Sequence, residues 1–224
     1  MIEVFNVIKK LCRNINLFLG DFIFPRTTIL EKLSKMSPQE IFYNCQKVTS
    51  HREGIHSIFS YKDELVKEMV WQIKFRGQKY YAKICGKFLA EKIKEIIDIN
   101  IKHLLIPIPI HSKRRKERGF NQCERLCEGI YNNLNIAIKQ NILYKTNFLI
   151  RKEYKIKQSW SSKKERVTNM SGAFSINPNI YAEISNKSII LIDDVITTGA
   201  TVGEAKKILF KAGAKNIICI TIAQ

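Results

Sequence analysis

Apolar positions along this chain follow two periods, and the changes of period mark its elements. Val4, Ile8, Leu11 and Ile15 recur at helical spacing. A second helix is predicted at Ser37, where a serine cap, Pro38 at the first helical position and Glu40 at the third form a complete start signal. Leu65, Val66, Met69, Val70 and Ile73 draw one stripe through residues 61–76, which closes before Gly77. Ile84, Phe88, Ile93, Ile96 and Ile97 draw another through residues 82–97. Residues 104–109 are a continuous apolar run whose prolines, Pro107 and Pro109, end it as a strand at a site. Phe120, Cys123, Cys127, Ile130 and Leu134 return to the helical period, and residues 142–150 read as a second strand. Residues 151–164 are polar, basic and without period, which predicts a lid over an active site. Four aliphatic residues at 189–192 form a buried strand. Val202, Ala205, Leu209 and Ala212 then mark a helix stopped by Gly213, and residues 216–223 form the last strand. Strand–helix units in series predict an α/β protein with a mostly parallel, twisted sheet flanked by helices. Residues 1–60 are expected to be a small helical appendage and residues 61–224 the main domain.

The chemistry gathers where the 189–192 strand ends. Asp193 and Asp194 close it, and Thr197, Thr198, Gly199, Ala200 and Thr201 open the following helix. Successive backbone N–H groups at a helix N-terminus attract an anion, three threonine hydroxyls add donors, and glycine lets the backbone approach closely. Two carboxylates repel phosphate but suit a vicinal diol or a cation. A phosphate cradle on one side and diol acceptors on the other describe a ribose 5-phosphate, held at the carboxyl end of a strand.

A second charged cluster follows the 104–109 strand: His111, Lys113, Arg114, Arg115, Lys116 and Arg118, opposed only by Glu117. It is expected to be a basic loop that grips a polyanion, and beside a phosphate cradle that polyanion is pyrophosphate. Cys123 and Cys127, four apart on one helical face, read as small core residues. Trp71, Phe75 and Phe120 read as core, with stacking platforms on an aromatic-basic nucleic-acid surface as the alternative. The 224 residues carry a formal net charge of +18. That fits a nucleic acid partner, and it equally fits a lysine-rich composition bias with singly spaced lysines on solvated helix faces. Six cysteines make no disulfide framework in a chain of this size. The most apolar N-terminal stretch, residues 15–25, is too short for a membrane span and contains Asp21. No cleavage-type sequence follows it, so a cytoplasmic protein with reduced thiols is expected.

The order of residues 189–201 resembles the signature for 5-phosphoribosyl 1-diphosphate (PRPP) in type I phosphoribosyltransferases. Three further stretches resemble the ComF (competence protein F) family of phosphoribosyltransferase-like proteins. They are residues 107–111 with 118–122, Arg151 with Gln158, and Glu165, Arg166 and Asn169 with residues 172–174. The resemblance spans residue 61 to the C-terminus. A looser likeness to the transferase half of glutamine PRPP amidotransferase does not extend to its glutaminase half, since the chain opens Met1-Ile2 without a cysteine nucleophile.

The ComF resemblance implies a type I phosphoribosyltransferase fold and a set of roles. Asp193 and Asp194 would hold the ribose hydroxyls, and residues 197–201 the 5-phosphate. Pro109, His111, Arg114 and Arg118 would meet the diphosphate. Arg151, Gln158, Lys163 and Arg166 would belong to the lid. Mg²⁺ would enter through diphosphate oxygens and not through a protein cage. The activity implied is phosphoribosyl transfer to an unknown acceptor. The alternative is a competence factor for DNA uptake, binding single-stranded DNA or a competence helicase without catalysis. ComF relatives commonly carry paired Cys-x-x-Cys motifs near the N-terminus; here Cys12 and Cys45 stand alone, so no structural zinc is expected.

Overall fold

The computed structural model describes residues 28–49, 53–152 and 172–224. The chain divides into two compact units, residues 1–44 and 45–224. In the first, helix α1 (Thr28–Lys35) precedes α2 (Pro38–Asn44). The expected start of α2 is a capping box. The Glu40 carboxylate accepts the Ser37 N–H at 2.7 Å, and the Ser37 hydroxyl accepts the Glu40 N–H at 3.3 Å. The helix expected from Val4 to Ile15, with Cys12 in it, lies outside the described residues.

The second unit runs from Cys45 to Gln224. Residues 45–60 belong to it, and Ile55–Phe59 is strand β1. Helix α3 (Glu64–Trp71) is capped by Asp63, which accepts the Leu65 and Val66 N–H groups at 2.8 and 3.2 Å. It widens into a π turn over Gln72–Arg76. Helix α4 (Lys79–Ile96) leads to β2 (His103–Pro107), buried throughout. The stretch expected as a basic loop is instead helix α5 (Ser112–Arg118), with the His111 ring Nδ1 accepting the Lys113 N–H at 3.2 Å. No residue of α5 is buried, so no hydrophobic period marked it. Its Lys, Arg and Glu residues are good helix formers and the cap supplies the start.

Helix α6 (Gln122–Asn133) and the short α7 (Ile136–Lys139) follow. The single strand expected over residues 142–150 is two strands in different sheets. β3 (Ile142–Tyr144) joins the main sheet, while β4 (Leu149–Arg151) pairs antiparallel with β5 (Phe174–Ile176). Polar residues 145–147 interrupt the run. A 3-10 turn (Pro178–Glu183), β6 (Ser188–Val195), α8 (Ala200–Lys211) and β7 (Asn216–Ala223) complete the unit.

The main sheet has the order β1-β7-β6-β2-β3, every neighbouring pair parallel, as the strand–helix alternation requires. β6 is central, and Ile189, Ile190, Leu191 and Ile192 are all at most 1% exposed. Each such side chain stabilises the fold by about 1.5–3 kcal/mol. Phe148, Phe174, Val202, Ala205 and Leu209 join Ile189 and Leu191 in one apolar cluster, which seats α8 and the β4–β5 pair. Helices α4 and α6 pack backbone against backbone. A Cβ on Gly86 would lie 2.5 Å from the Gly129 carbonyl carbon, so neither glycine can be replaced without parting the helices.

Candidate functional site

β6 carries its apolar run directly into the two acids. The β2 ladder ends at Ile108, whose N–H donates to the Ile192 carbonyl at 2.9 Å. Asp193 and Asp194 are therefore the first β6 residues past that neighbour, with β7 still paired on the other side. They are buried, at 8% and 4% exposure.

Successive strand side chains point to opposite faces, and the two acids meet different partners. Asp193 Oδ1 accepts the Asp194 N–H at 2.9 Å and the Cys123 S–H at 3.6 Å. Asp194 Oδ1 accepts the Val195 N–H at 2.8 Å. Asp194 Oδ2 is fully enclosed and lies 2.9 Å from the Lys74 ammonium, with which it forms an ion pair.

Burial, then the Asp194 charge, push the Asp193 carboxyl up to about 7, against the Asp194 N–H and Lys74, which pull it down. Burial draws Lys74 down, but Asp194 and then Asp193 outweigh it, so its net direction is up. Burial also drives the Cys123 thiol well up, and both acids add to the effect. It stays protonated and serves as a donor, not as a nucleophile.

The turn after β6 is open where the acids are closed. Thr197 and Thr198 are exposed; Gly199, Ala200 and Thr201 are partly so. Gly199, with φ 82°, starts α8 in the left-handed region, which glycine adopts without strain, and it brings no side-chain cap. The Thr198 hydroxyl accepts the Ala200 N–H at 3.3 Å.

On the basic side, Pro109 and His111 lead from β2 into α5. Arg114 is exposed and Arg118 half-buried. Arg118 stands 4.8 Å over the Phe75 ring. Burial and then Arg114 lower its pKa, while Asp194 raises it. Arg151 is lowered by burial and then Arg114, and raised by Asp193. The fold thus gathers Arg114, Arg118 and Arg151 into the electrostatic neighbourhood of the acid pair. Arg115 instead binds Glu124 at 2.6 Å. Gln158, Lys163 and Arg166 lie outside the described residues.

Two residues of the site have roles that no local pattern in the sequence announces. Lys74 pairs with Asp194 from the π turn. Asn121, 1% exposed, caps α6 by accepting the Cys123 N–H at 3.0 Å and donates to the Ile108 carbonyl at 3.0 Å, which ties α6 to the end of β2. Asn121 lies in the 118–122 stretch that resembles the ComF family, and only its capping role is unannounced there. Lys74 carried no signal beyond its place at a helix end.

The expectation that Phe75 is core is corrected, since it is 56% exposed. The π turn inserts an extra residue per turn and rotates Phe75 off the buried stripe. Trp71 and Phe120 are partly buried; Cys123 and Cys127 are fully so.

A cavity of about 440 Å³ lies among β5, the 3-10 turn and α8, lined by residues that include Phe174, Tyr181 and Ile208; none of its lining residues belongs to the site above. Among the described residues there is no cluster of three or more His, Cys, Asp or Glu able to hold a metal. None of the described helices is long and apolar enough to cross a membrane.

The parallel sheet with helices packed on it, and a central strand ending in two acids, define the class. A family model for the phosphoribosyl transferase domain matches residues 142–224. Competence protein ComFC of Streptococcus pneumoniae is 31% identical, over 75% of this chain and 65% of its own length. ComFC of Bacillus subtilis is 35% identical, over 70% of this chain and 58% of its own. The DNA utilization protein YhgH of Salmonella typhimurium is 24% identical, over 66% and 63%. The matches thus cover less than two thirds of the length of these relatives. The chain belongs to the ComF family of type I phosphoribosyltransferase-like proteins.

Proposed function

We propose that the chain binds PRPP, or a related ribose 5-phosphate, and transfers the phosphoribosyl group to a nitrogen acceptor. The observation that carries this is Asp194 Oδ2. It is a buried carboxylate oxygen at the carboxyl end of the central strand, and Lys74 is its only described polar partner. Its charge is met by a lysine whose side chain is 25% exposed and free to give way, and a ribose hydroxyl is a donor of the right size to take its place. The 5-phosphate would sit on residues 197–201 at the start of α8, and the diphosphate against Arg114 and Arg118. Mg²⁺ would be held through the diphosphate and ribose oxygens, where it would offset the leaving group's charge. The residues themselves position the sugar and stabilise charge as the bond from C1 to the diphosphate oxygen breaks. The diphosphate leaves with the bonding pair, and the acceptor nitrogen supplies the pair for the new bond.

Calorimetry with PRPP, with and without Mg²⁺, tests the reading. Asp194→Asn combined with Thr198→Ala is expected to abolish binding while circular dichroism stays unchanged. Undiminished affinity in the double variant overturns it.

A second reading, a module for single-stranded DNA, rests on a different observation. Phe75 is exposed beneath Arg118, and Arg76 stands 5.4 Å over the neighbouring Trp71 ring. Aromatic faces interleaved with arginines suit stacked bases and a phosphate backbone. The relatives' names, competence and DNA utilization, agree with it, and a competence helicase would be a partner on this reading. Oligonucleotide affinity at two salt concentrations, with and without PRPP and Mg²⁺, separates the two. A steep salt dependence that survives saturating PRPP supports a DNA surface apart from the sugar site, and absence of binding at low salt removes it.

A further inference from the structure

Lys74 sits where the proposed sugar site must open. Its Nζ is 2.9 Å from Asp194 Oδ2, and that oxygen is fully enclosed. A ribose hydroxyl can reach Oδ2 only if the lysine side chain moves. The lysine can move: its side chain is 25% exposed against 6% for that of Asp194, and it projects from a π turn, a helix irregularity frequent at functional sites. Once displaced, a half-buried ammonium needs another anion.

A region rich in cations, α5, adjoins the turn that carries Lys74. The next residue along the turn, Phe75, lies under the Arg118 guanidinium at 4.8 Å. This contact fixes the turn beside the helix assigned to the diphosphate.

Resting on the ribose-phosphate reading above, we propose that Lys74 is the specificity residue of that site. Its ammonium closes Asp194 while the site is empty, leaves when the ribose hydroxyls arrive, and pairs with an anionic group on C1 of the sugar. A sugar phosphate without a C1 anion must break the Lys74–Asp194 pair and leaves the ammonium uncompensated. A sugar with a C1 diphosphate replaces the pair with a new one. The site therefore prefers the activated sugar through an exchange of ion pairs, in addition to whatever the arginines contribute.

The test is a two-ligand comparison by calorimetry, ribose 5-phosphate against PRPP with Mg²⁺, for the wild type, Lys74→Met and Lys74→Arg. The expected result is crossed. Lys74→Met loses at least about tenfold in PRPP affinity, the scale of one charge-assisted hydrogen bond. It binds ribose 5-phosphate as well as or better than the wild type, and Lys74→Arg restores most of the preference. Equal losses for both ligands, or none for either, overturn the proposal and leave Lys74 a structural partner of Asp194. Failure of the wild type to bind either ligand refutes the ribose-phosphate reading itself, which is a different result.

If Lys74→Met does not fold, amine acetylation of the wild type read by mass spectrometry replaces it. Lys74 is expected to label faster with ribose 5-phosphate bound than in the empty protein, and more slowly with PRPP and Mg²⁺ bound. Unchanged labelling in both complexes overturns the proposal.

Discussion

The two halves of the site lie three residues apart and are built in opposite ways. Asp193 and Asp194 sit inside a central strand, buried, with β7 alongside and with Cys123 and Lys74 against their carboxylates. Thr197 and Thr198 lie in an exposed turn that depends on one left-handed glycine. The first half is held by tertiary contacts before any ligand arrives, and the second is mostly local backbone. Pre-organised charge is costly to build but loses little on binding, whereas an open turn is cheap to build and must be ordered by its ligand.

Breaking the buried half should cost most. Asp194→Asn alone is expected to weaken ribose 5-phosphate binding by about 10–100-fold, the range for a hydrogen bond to a charged group. Calorimetry reads it, and a loss below threefold would place the diol elsewhere. Gly199→Val tests the open half. A β-branched residue at φ 82° costs about 1–3 kcal/mol of strain. The expected result is roughly tenfold weaker phosphate binding with only a modest fall in Tm, because the strain is confined to the turn; a large drop in Tm would mean that the turn supports the core.

Asp193→Asn distinguishes stability from binding. In the unfolded chain this carboxyl titrates near its ordinary 3.8, and in the fold near 7. Between those values the folded protein keeps a proton that the unfolded chain has lost, so stability falls as pH rises through that window. The asparagine variant escapes this loss. Its gain in Tm over the wild type should be absent near pH 4, grow with pH, and level off above about pH 7. A constant difference across that range would show that Asp193 is not the titrating group. The smallest effect is expected from Arg114→Ala. Arg114 is exposed, so its influence on diphosphate binding should be a few-fold and should fade with added salt.

The same contrast explains what could be read from the sequence. The acids, the threonine turn and the helix behind it are contiguous, and each announces itself by residue type and period. Lys74 reaches the acids only through tertiary packing, so no local pattern names it. Helix α5 was hidden because it buries nothing. β1 has no sequence signature of its own, because five alternating residues are a weak signal until β7 supplies their partner. Residues 142–150 merged into one strand because both β3 and β4 are apolar, and the direction of the chain after Tyr144 is set by where Phe148 and Leu149 are buried.

All five strands of the main sheet run the same way, so their carboxyl ends open along a single rim. Two of those ends, from β6 and β2, furnish the acids and the basic helix. The segment leaving β1 leads to the turn that carries Lys74, and the segment leaving β3 leads to the strand that ends at Arg151. The rim works as a row of exchangeable sockets. What is plugged into one can be lengthened, swapped or redesigned without re-cutting the sheet below, which makes the choice of what the rim meets the property of such a scaffold most open to inheritance and to engineering.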